Sequence, residues 1–424
     1  MTKIYLTILF VLCLADSKSQ HLAVDRAQDS LVITMKQAED SFLSKNLSLL
    51  AQKYSIDSAK ATVISAGLYN NPEFDYSNAF YNTITHRFFE PEIQIQVSQL
   101  ILLAGKRNKA INLARSGVDI AQFQFYDLLR TLRYILRNDF YNIYFLEQSS
   151  KLYDLEISSL QKLVHAFEEQ VNKGYMAPME VIRLKSQLYS LQAEYDELQT
   201  NINNVQAELK LILRISPETY IIPNPDIKML NENVVARMNY QQLIDSALSN
   251  RPDLKVLNAS IIYSNNNLTL QKAFAKPDIT VTANYDRMGS YVNDYNGIGI
   301  GIPLPFFNRN QGNISNARIQ VEQSKLQLEN GLDQVKSEVT TNYITALRSE
   351  KLLLSFDPKF DEENKNLIQE VTTNYQKKNI TMLEFLDFYD SYKENILQLN
   401  QLRFNKMSAL EQLNYSIGKI VFNP

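Results

Sequence analysis

Three acidic residues have the spacing that most suggests a functional role in this chain of 424 residues. Glu384 and Asp387 lie three residues apart, so they share one face of a helix that starts just after a break at 377–381. Glu180 occupies the equivalent position in an earlier copy of the same segment. Grouped carboxylates attract cations, although charged pairs of this kind usually belong to a solvated helix face.

The sequence contains no motif that predicts catalysis or a bound cofactor. We find no Gly-rich phosphate loop, no nucleophile motif and no cluster with metal-ligand spacing. The histidines, His21, His86 and His165, are far apart in sequence and predict no ligand set. The net charge of −3 and the lack of a basic patch argue against a nucleic-acid partner. We therefore expect neither an enzyme nor a resident metal.

Residues 1–19 are interpreted as an export signal. An apolar run over 4–14 follows a positive residue, and Ser17 and Ser19 supply the small residues that precede a cleavage site. This run is shorter than the ~20 residues that span a bilayer. The only cysteine, Cys13, lies within it, so the mature chain has no disulfide. No later segment predicts a transmembrane helix, so contact with a membrane is expected through strands.

Two kinds of periodicity follow one another along the chain. Strict alternation of apolar and polar residues predicts strands, and apolar residues recurring at steps of three and four predict long coiled-coil helices. The first repeat is predicted over 20–225, with strands at about 73–81 and 92–100, a long helix at about 106–172 and a return helix at about 179–215. The second is predicted over 226–424, with strands at about 278–286 and 296–303, a long helix at about 312–377 and a return helix at about 381–417. The first long helix, of roughly 65 residues, is a rod on the order of 100 Å.

The two halves correspond segment by segment, which indicates a duplication. Asp40–Ser44 answers to Asp245–Ser249, and Pro72 answers to Pro277 at the same offset. Asp357 and Pro358 interrupt the second long helix, where proline predicts a kink or a break.

The strands have two different faces. We expect one face to contact lipid and the opposite face, which includes Gln94, Gln96, Thr280 and Thr282, to line a lumen. The residues expected to face lipid are Phe74, Tyr76, Ile95, Val97, Ile279, Val281, Ile298 and Ile300. Strands in a bilayer must close into a barrel, and four are too few, so several chains are needed. Two chains give a barrel filled by side chains, and three give twelve strands with room for a passage. The alternative is a small soluble sheet that caps a helical rod.

Several segments in this order resemble the TolC-like outer-membrane efflux proteins. They are Asn71-Pro72 before a strand, the 103–107 segment LAGKR and the 172–174 segment NKG, together with the proline-containing linker and the repeat. Within the family, residues 301–312 (GIPLPFFNRNQG) resemble the CzcC-type branch, which is associated with divalent-metal export.

The resemblance implies a mainly α protein with a membrane β-barrel portion. Three chains form a homotrimer whose twelve-strand barrel lies in the outer membrane of a Gram-negative bacterium and whose twelve-helix tube extends into the periplasm. The protein is then the exit duct of a tripartite efflux system for divalent heavy-metal cations. Its partners are outer-membrane lipid, a periplasmic adaptor and an inner-membrane RND pump, and it needs no cofactor.

The resemblance also implies roles for particular residues. Glu180, Glu384 and Asp387 project into the periplasmic entrance, where three-fold symmetry makes rings of carboxylates that favour cations. Tyr375 matches a position in the contacts between protomers that hold the entrance shut, whereas the family's basic partner falls on Ile380. The helix-hairpin tips expected to contact the adaptor contain Gly174, Tyr175, Lys378 and Asn379.

Two other functions fit the same sequence. One is a duct of this architecture for drug efflux or type I protein secretion. The other is a periplasmic coiled-coil scaffold or adaptor that has no pore.

Overall fold

The computed structural model describes residues 29–78, 80–82, 86–88, 93–288, 292–357, 359–377 and 379–422. The export signal predicted over 1–19 lies outside these residues. The helices are α1 (Met35–Lys45), α2 (Leu47–Gly67), α3 (Lys106–Asn172), α4 (Pro178–Leu213), α5 (Tyr240–Asn250), α6 (Pro252–Phe274), α7 (Gln311–Leu354), α8 (Phe360–Gln376) and α9 (Met382–Ile417). The strands are β1 (Ser30–Ile33), β2 (Glu73–Asn78), β3 (Tyr81–Asn82), β4 (Arg87–Phe88), β5 (Ile93–Ile101), β6 (Tyr220–Pro223), β7 (Ile279–Met288) and β8 (Asn293–Gly301).

Helix α3 is the longest element, with 67 residues and a length of about 100 Å. Its first residue follows Gly105, whose φ of 68° is left-handed and turns the chain sharply from β5 into the helix. It packs against α2, α4, α6 and α9, so it contacts both the N-terminal and the C-terminal half of the chain. In the part of the chain that is described, no helix is both long and apolar enough to cross a bilayer.

The second long helix, expected over 312–377 with a kink or a break at Asp357 and Pro358, is divided into two helices, as predicted. Helix α7 ends at Leu354 and α8 begins at Phe360. Proline has no N–H to donate and clashes with the preceding turn, which accounts for an interruption around Asp357. The expected strand at 296–303 differs, because β8 runs from Asn293 to Gly301 and pairs with β7 from its first residue.

The long strands form one antiparallel sheet in the order β2-β5-β7-β8. Residues paired across neighbouring strands lie on the same face of a sheet. The register pairs Phe74 with Val97, Tyr76 with Ile95 and Val281 with Ile300, and it pairs Ile101 with Ile279 and Ala283 with Ile298. All eight apolar residues singled out from the sequence therefore share one face, and Gln94, Gln96, Thr280 and Thr282 share the other.

The apolar face of this sheet is uncovered within one chain. Ile298 is 85% exposed, Ile300 69% and Phe74 67%. Among the described strands, β2 pairs with β5 alone and β8 with β7 alone, so each has one free edge. A sheet with an exposed apolar face and two free edges is incomplete as a folded unit.

Buried charges fasten the linker between the repeats to the helices. The carboxylate of Glu350 in α7 is fully buried and accepts hydrogen bonds from the backbone N–H groups of Val234, Val235 and Ala236 at 2.8–3.1 Å. Lys406 of α9 donates to the carbonyl oxygen of Leu230 at 2.8 Å. Buried donors and acceptors of this kind are costly when left unpaired.

We expect Glu350→Ala to lower the free energy of unfolding by about 3 kcal/mol, because three N–H groups lose their acceptor at about 1 kcal/mol or more each. The urea midpoint of the purified protein measures this loss. Glu370→Ala, at an exposed position of α8, is the matched control and should leave the midpoint unchanged. Equal midpoints for both variants would contradict the role of Glu350.

Candidate functional site at the hairpin tips

Two helical hairpins, α3–α4 and α8–α9, end close together. Their side chains form one apolar cluster, which we call the tip core. It contains Leu160, Leu163, Val164, Phe167, Val181, Leu184, Leu188, Val371, Tyr375, Phe385, Leu386 and Tyr389. The two hairpins of one chain are therefore packed as a unit, and the predicted site residues lie on and around it.

The turns at the two tips are exposed. Gly174 has a left-handed φ of 75°, and its N–H donates to the carbonyl oxygen of Val171 at 2.9 Å, which closes the end of α3. Tyr175, the next residue, is 73% exposed. In the second hairpin, Asn379 is exposed, and its N–H donates to the carbonyl oxygen of Asn374 at 2.9 Å. Lys378, also predicted at this tip, lies outside the described residues.

Glu384 has a local structural role at the start of α9. Its carboxylate accepts hydrogen bonds from the backbone N–H of Thr381 at 2.7 Å and from the Thr381 hydroxyl at 2.8 Å. The Thr381 hydroxyl in turn accepts from the N–H of Glu384, which completes a capping box. These hydrogen bonds, the backbone one first, lower the pKa of Glu384 below its usual value, so the carboxylate is charged at neutral pH.

The other two predicted acids differ in exposure. Asp387 is exposed on α9, three residues after the exposed Glu384. Glu180 lies in the first turn of α4 and is half-buried. Its charge contributes to raising the pKa of Tyr375 in the tip core.

Tyr375 is held within its own chain. Its ring is 5% exposed, stacks on Phe385 with centroids 4.4 Å apart and meets Phe167 edge-on at 5.3 Å. Its hydroxyl donates to the sulfur of Met382 at 3.1 Å. Burial, and then the charge of Glu180, raise its pKa above the ordinary value. This packing accounts for an aromatic residue here without a neighbouring chain, so its role in contacts between protomers stays a prediction.

A group of four charged residues, of which Glu156 and Lys393 are buried, was missed by the sequence analysis. We call it the charged layer, and it consists of Glu156, Glu194, Asp390 and Lys393. Lys393 is 2.8 Å from Glu194 and 3.9 Å from Asp390. Glu156 is 3% exposed, and among the described residues neither of its carboxylate oxygens has a hydrogen-bond partner.

Glu156 is therefore the unusual member of the charged layer. Burial raises its pKa to about 8, and the charges of Asp390 and Glu194 act in the same direction against Lys393. One signal in the sequence could have identified it, since it occupies an apolar seam position of α3 between Leu152 and Leu160. An acid at such a position is buried by its helix whatever its partners are.

The described residues contain no group of three or more His, Cys, Asp and Glu side chains that could hold a metal ion. Of the three acids at the tips, Glu384 is engaged in a cap, Asp387 is exposed and Glu180 is half-buried. What this arrangement can do chemically is to present negative charge, because carboxylates without a fixed counter-ion attract passing cations.

Comparisons with known proteins agree with the sequence and the fold. A family model described as "Outer membrane efflux protein" matches residues 243–418. The cobalt-zinc-cadmium resistance protein CzcC of Cupriavidus metallidurans is 20% identical over 318 residues, which are 74% of this chain and 73% of that protein. Toxin and drug export protein A of Aggregatibacter actinomycetemcomitans is 24% identical over 219 residues, which are 50% of this chain and 47% of that protein. The structure of the CmeC outer membrane channel of Campylobacter jejuni matches with a TM-score of 0.72 at 13% identity. The match covers 92% of this chain and 87% of the CmeC chain.

The chain has long helices joined to a four-stranded sheet, and this arrangement, shared with the CmeC channel, is the TolC-like class of fold. Residues 243–418 match the outer membrane efflux protein family model, and the resemblance of the chain to TolC-like outer-membrane efflux proteins is confirmed. The fold is that of a solved outer membrane channel.

The raised pKa of Glu156 predicts a pH dependence of stability. Between pH 4.5, its ordinary pKa, and about pH 8, the folded chain binds one proton more than the unfolded chain. The free energy of unfolding therefore falls as the pH rises through this interval. Glu156→Gln should remove this component and, at pH 8, stabilise the protein by about 1–2 kcal/mol because no charge is buried there. Apparent melting temperatures at pH 5 and pH 8 measure the difference.

Burial also raises the pKa of Asp139 to about 7, so the free energy of unfolding falls with rising pH for this reason in both wild type and Glu156→Gln. The difference between these two proteins therefore reports the contribution of Glu156. Asp196→Asn, at an exposed position of α4, serves as the control. If wild type and Glu156→Gln change in parallel between the two pH values, the assignment is wrong.

Proposed function

We propose that the protein is the outer-membrane exit duct of a tripartite RND-type efflux system in a Gram-negative bacterium. The observation that carries this proposal is the sheet β2-β5-β7-β8, whose eight apolar residues share one uncovered face at the end of a helix about 100 Å long. Such a sheet fits a lipid surface on one side and an aqueous passage on the other.

The free edges of the sheet support assembly from several chains. Backbone groups at an open edge have no partner in hydrocarbon, so the strands must close into a barrel. Four strands per chain give twelve in a trimer, enough to surround a passage, and the helices of three chains then form the tube below it. We expect the detergent-extracted protein to be a homotrimer.

Divalent heavy-metal cations are the proposed cargo. The similarity to a cobalt-zinc-cadmium resistance protein supports this, as does the negative charge that Glu180, Glu384 and Asp387 supply near the tips. In a trimer each acid is repeated three times, and rings of carboxylates favour cations in a pore. The chain conducts such ions and has no need to store them.

The adaptor is proposed to bind at the hairpin tips, and the pump is reached through it. Gly174, Tyr175 and Asn379 are exposed there, and Lys378 belongs to the same turn in sequence. Tyr175 is 73% exposed, and aromatic side chains of this kind often anchor protein interfaces.

A duct for drugs or secreted proteins is the alternative, supported by the similarity to a toxin and drug export protein. Metal sensitivity of a deletion strain separates the two cargoes. A scaffold or adaptor without a pore is the second alternative, and it predicts no conductance in planar bilayers.

The proposed lipid contact is tested by exchanging neighbouring residues on the two faces of β7. We expect Val281→Arg to destabilise the assembled protein by about 2–4 kcal/mol if the residue lies near the bilayer midplane. Thr282→Arg places the same charge on the polar face and should cost much less. The yield of heat-resistant oligomer in outer-membrane fractions measures both. Equal tolerance of the two arginines would be incompatible with this orientation of the sheet.

The proposed entrance is tested in single channels with variants that keep the fold. Glu384→Gln retains the acceptor that the capping box needs and removes the charge, and Asp387→Asn removes the second charge. We expect the double variant to lose cation selectivity and block by millimolar divalent cations on the periplasmic side, because up to six of nine carboxylates become neutral. Glu180→Gln should have a smaller effect.

The control for this experiment is Glu370→Gln, an equal charge change at an exposed site of α8. All variants must elute as the wild-type trimer. Wild-type selectivity and block in the double variant would show that these acids form a solvated helix face.

A further inference from the structure

A cleft midway along α3 is separate from the sheet and from the hairpin tips. It is bounded by α3, by the junction of α5 and α6, and by the end of α9, and it encloses about 360 Å³. Arg133 in this cleft is about 58 Å along the helix from the last residue of α3. Small-molecule sites in proteins commonly begin at about this volume.

Two arginines of the cleft are already neutralised by the protein. Arg130 is 2.8 Å from Asp127, and its guanidinium lies 4.2 Å from the ring centroid of Tyr415. Arg137 is 2.9 Å from Glu39 and 2.8 Å from Glu411. These contacts fix both side chains, so they shape the wall of the cleft.

Three other cations of the cleft have no such partners. Among the described residues, the side chains of Arg133, Lys255 and Lys419 form neither an ion pair nor a hydrogen bond. The Nε of Arg133 is buried and lacks an acceptor, although Lys255 and Lys419 remain exposed. A buried guanidinium N–H without an acceptor is costly, and an anionic group in the cleft would supply an acceptor to Arg133.

Aromatic side chains form the rest of the wall. Phe123 and Tyr126 line the cleft, and Tyr126 is 53% exposed within the chain. Tyr134 and Tyr415 face each other across 5.2 Å between ring centroids. Aromatic faces favour a planar or apolar body over a bare hydrated ion.

We propose that this cleft binds a small organic anion. Its sulfonate, phosphate or carboxylate group is held by Arg133, Lys255 and Lys419, and its planar or apolar body lies against Phe123 and Tyr126. Charge-assisted hydrogen bonds from a guanidinium supply the specificity for the anionic group. The site is independent of conduction through the duct.

Naphthalene-1-sulfonate is a suitable probe, titrated calorimetrically into the full-length protein in lipid nanodiscs with empty nanodiscs as the blank. We expect one saturable site per chain. Arg133→Gln and Lys255→Gln should each weaken binding by about tenfold, the loss typical of one charge-assisted contact. Arg115→Gln, the same charge change at an exposed position of α3, should leave the affinity unchanged.

Arg133→Gln is expected to assemble normally because it removes an unpaired cation. If Arg133→Gln does not assemble, the affinity of Lys255→Gln, which changes an exposed residue, tests the proposal. Binding no greater than to empty nanodiscs, or unchanged affinity in the assembled variants, would overturn the proposal. Inorganic phosphate binding as tightly as the probe would also overturn it, since the aromatic wall would then contribute nothing.

Discussion

The unmade backbone hydrogen bonds at the two edges of the four-stranded sheet constrain the rest of the structure. Strands β2 and β8 each use one side of their backbone within the chain, and the face carrying Ile298 and Ile300 is open. In hydrocarbon there is no water to form hydrogen bonds with the free backbone groups at these edges. Under the proposed function, pairing edge to edge with other chains satisfies the backbone and leaves the apolar face to lipid. Association of several chains in the bilayer therefore both pairs the free edges and covers the apolar face with lipid. For this reason, oligomerisation and membrane insertion are coupled in this proposal.

Helix α3 connects that sheet to the hairpin tips and packs along both the N-terminal and the C-terminal half of the chain. Charged residues interrupt its apolar packing at separate levels. Arg137 joins α1 and α9 through Glu39 and Glu411, and Glu156 lies lower, within the charged layer. Buried ionic groups add little net stability because their desolvation offsets their attraction. The ion pairs of Arg137 hold one level of α3 against α1 and α9.

Periodicity was sufficient to predict features that depend only on whether each residue in turn is buried or exposed. The two ends of α3 and the two faces of the sheet follow from steps of three and four and from alternation, and the register places all eight apolar strand residues together. It was insufficient where partners are remote in sequence. The charged layer joins α3, α4 and α9, and the cations of the cleft come from three distant segments. The capping box of Thr381 and Glu384, by contrast, depends on a local spacing of three residues and is predictable from the sequence.

The two hairpins, α3–α4 and α8–α9, are held by different interactions. Helix α4 begins after Ala177 with a proline in its first turn and no side-chain cap, so covalent geometry starts it. Helix α9 begins with the capping box of Thr381 and Glu384, so a charged hydrogen bond starts it. The first hairpin continues an unbroken α3, whereas the second is separated from α7 by the interruption before α8. The two predicted acids therefore differ in their surroundings. Glu384 is hydrogen-bonded to Thr381 at the start of its helix, whereas the charge of Glu180 acts on the pKa of Tyr375.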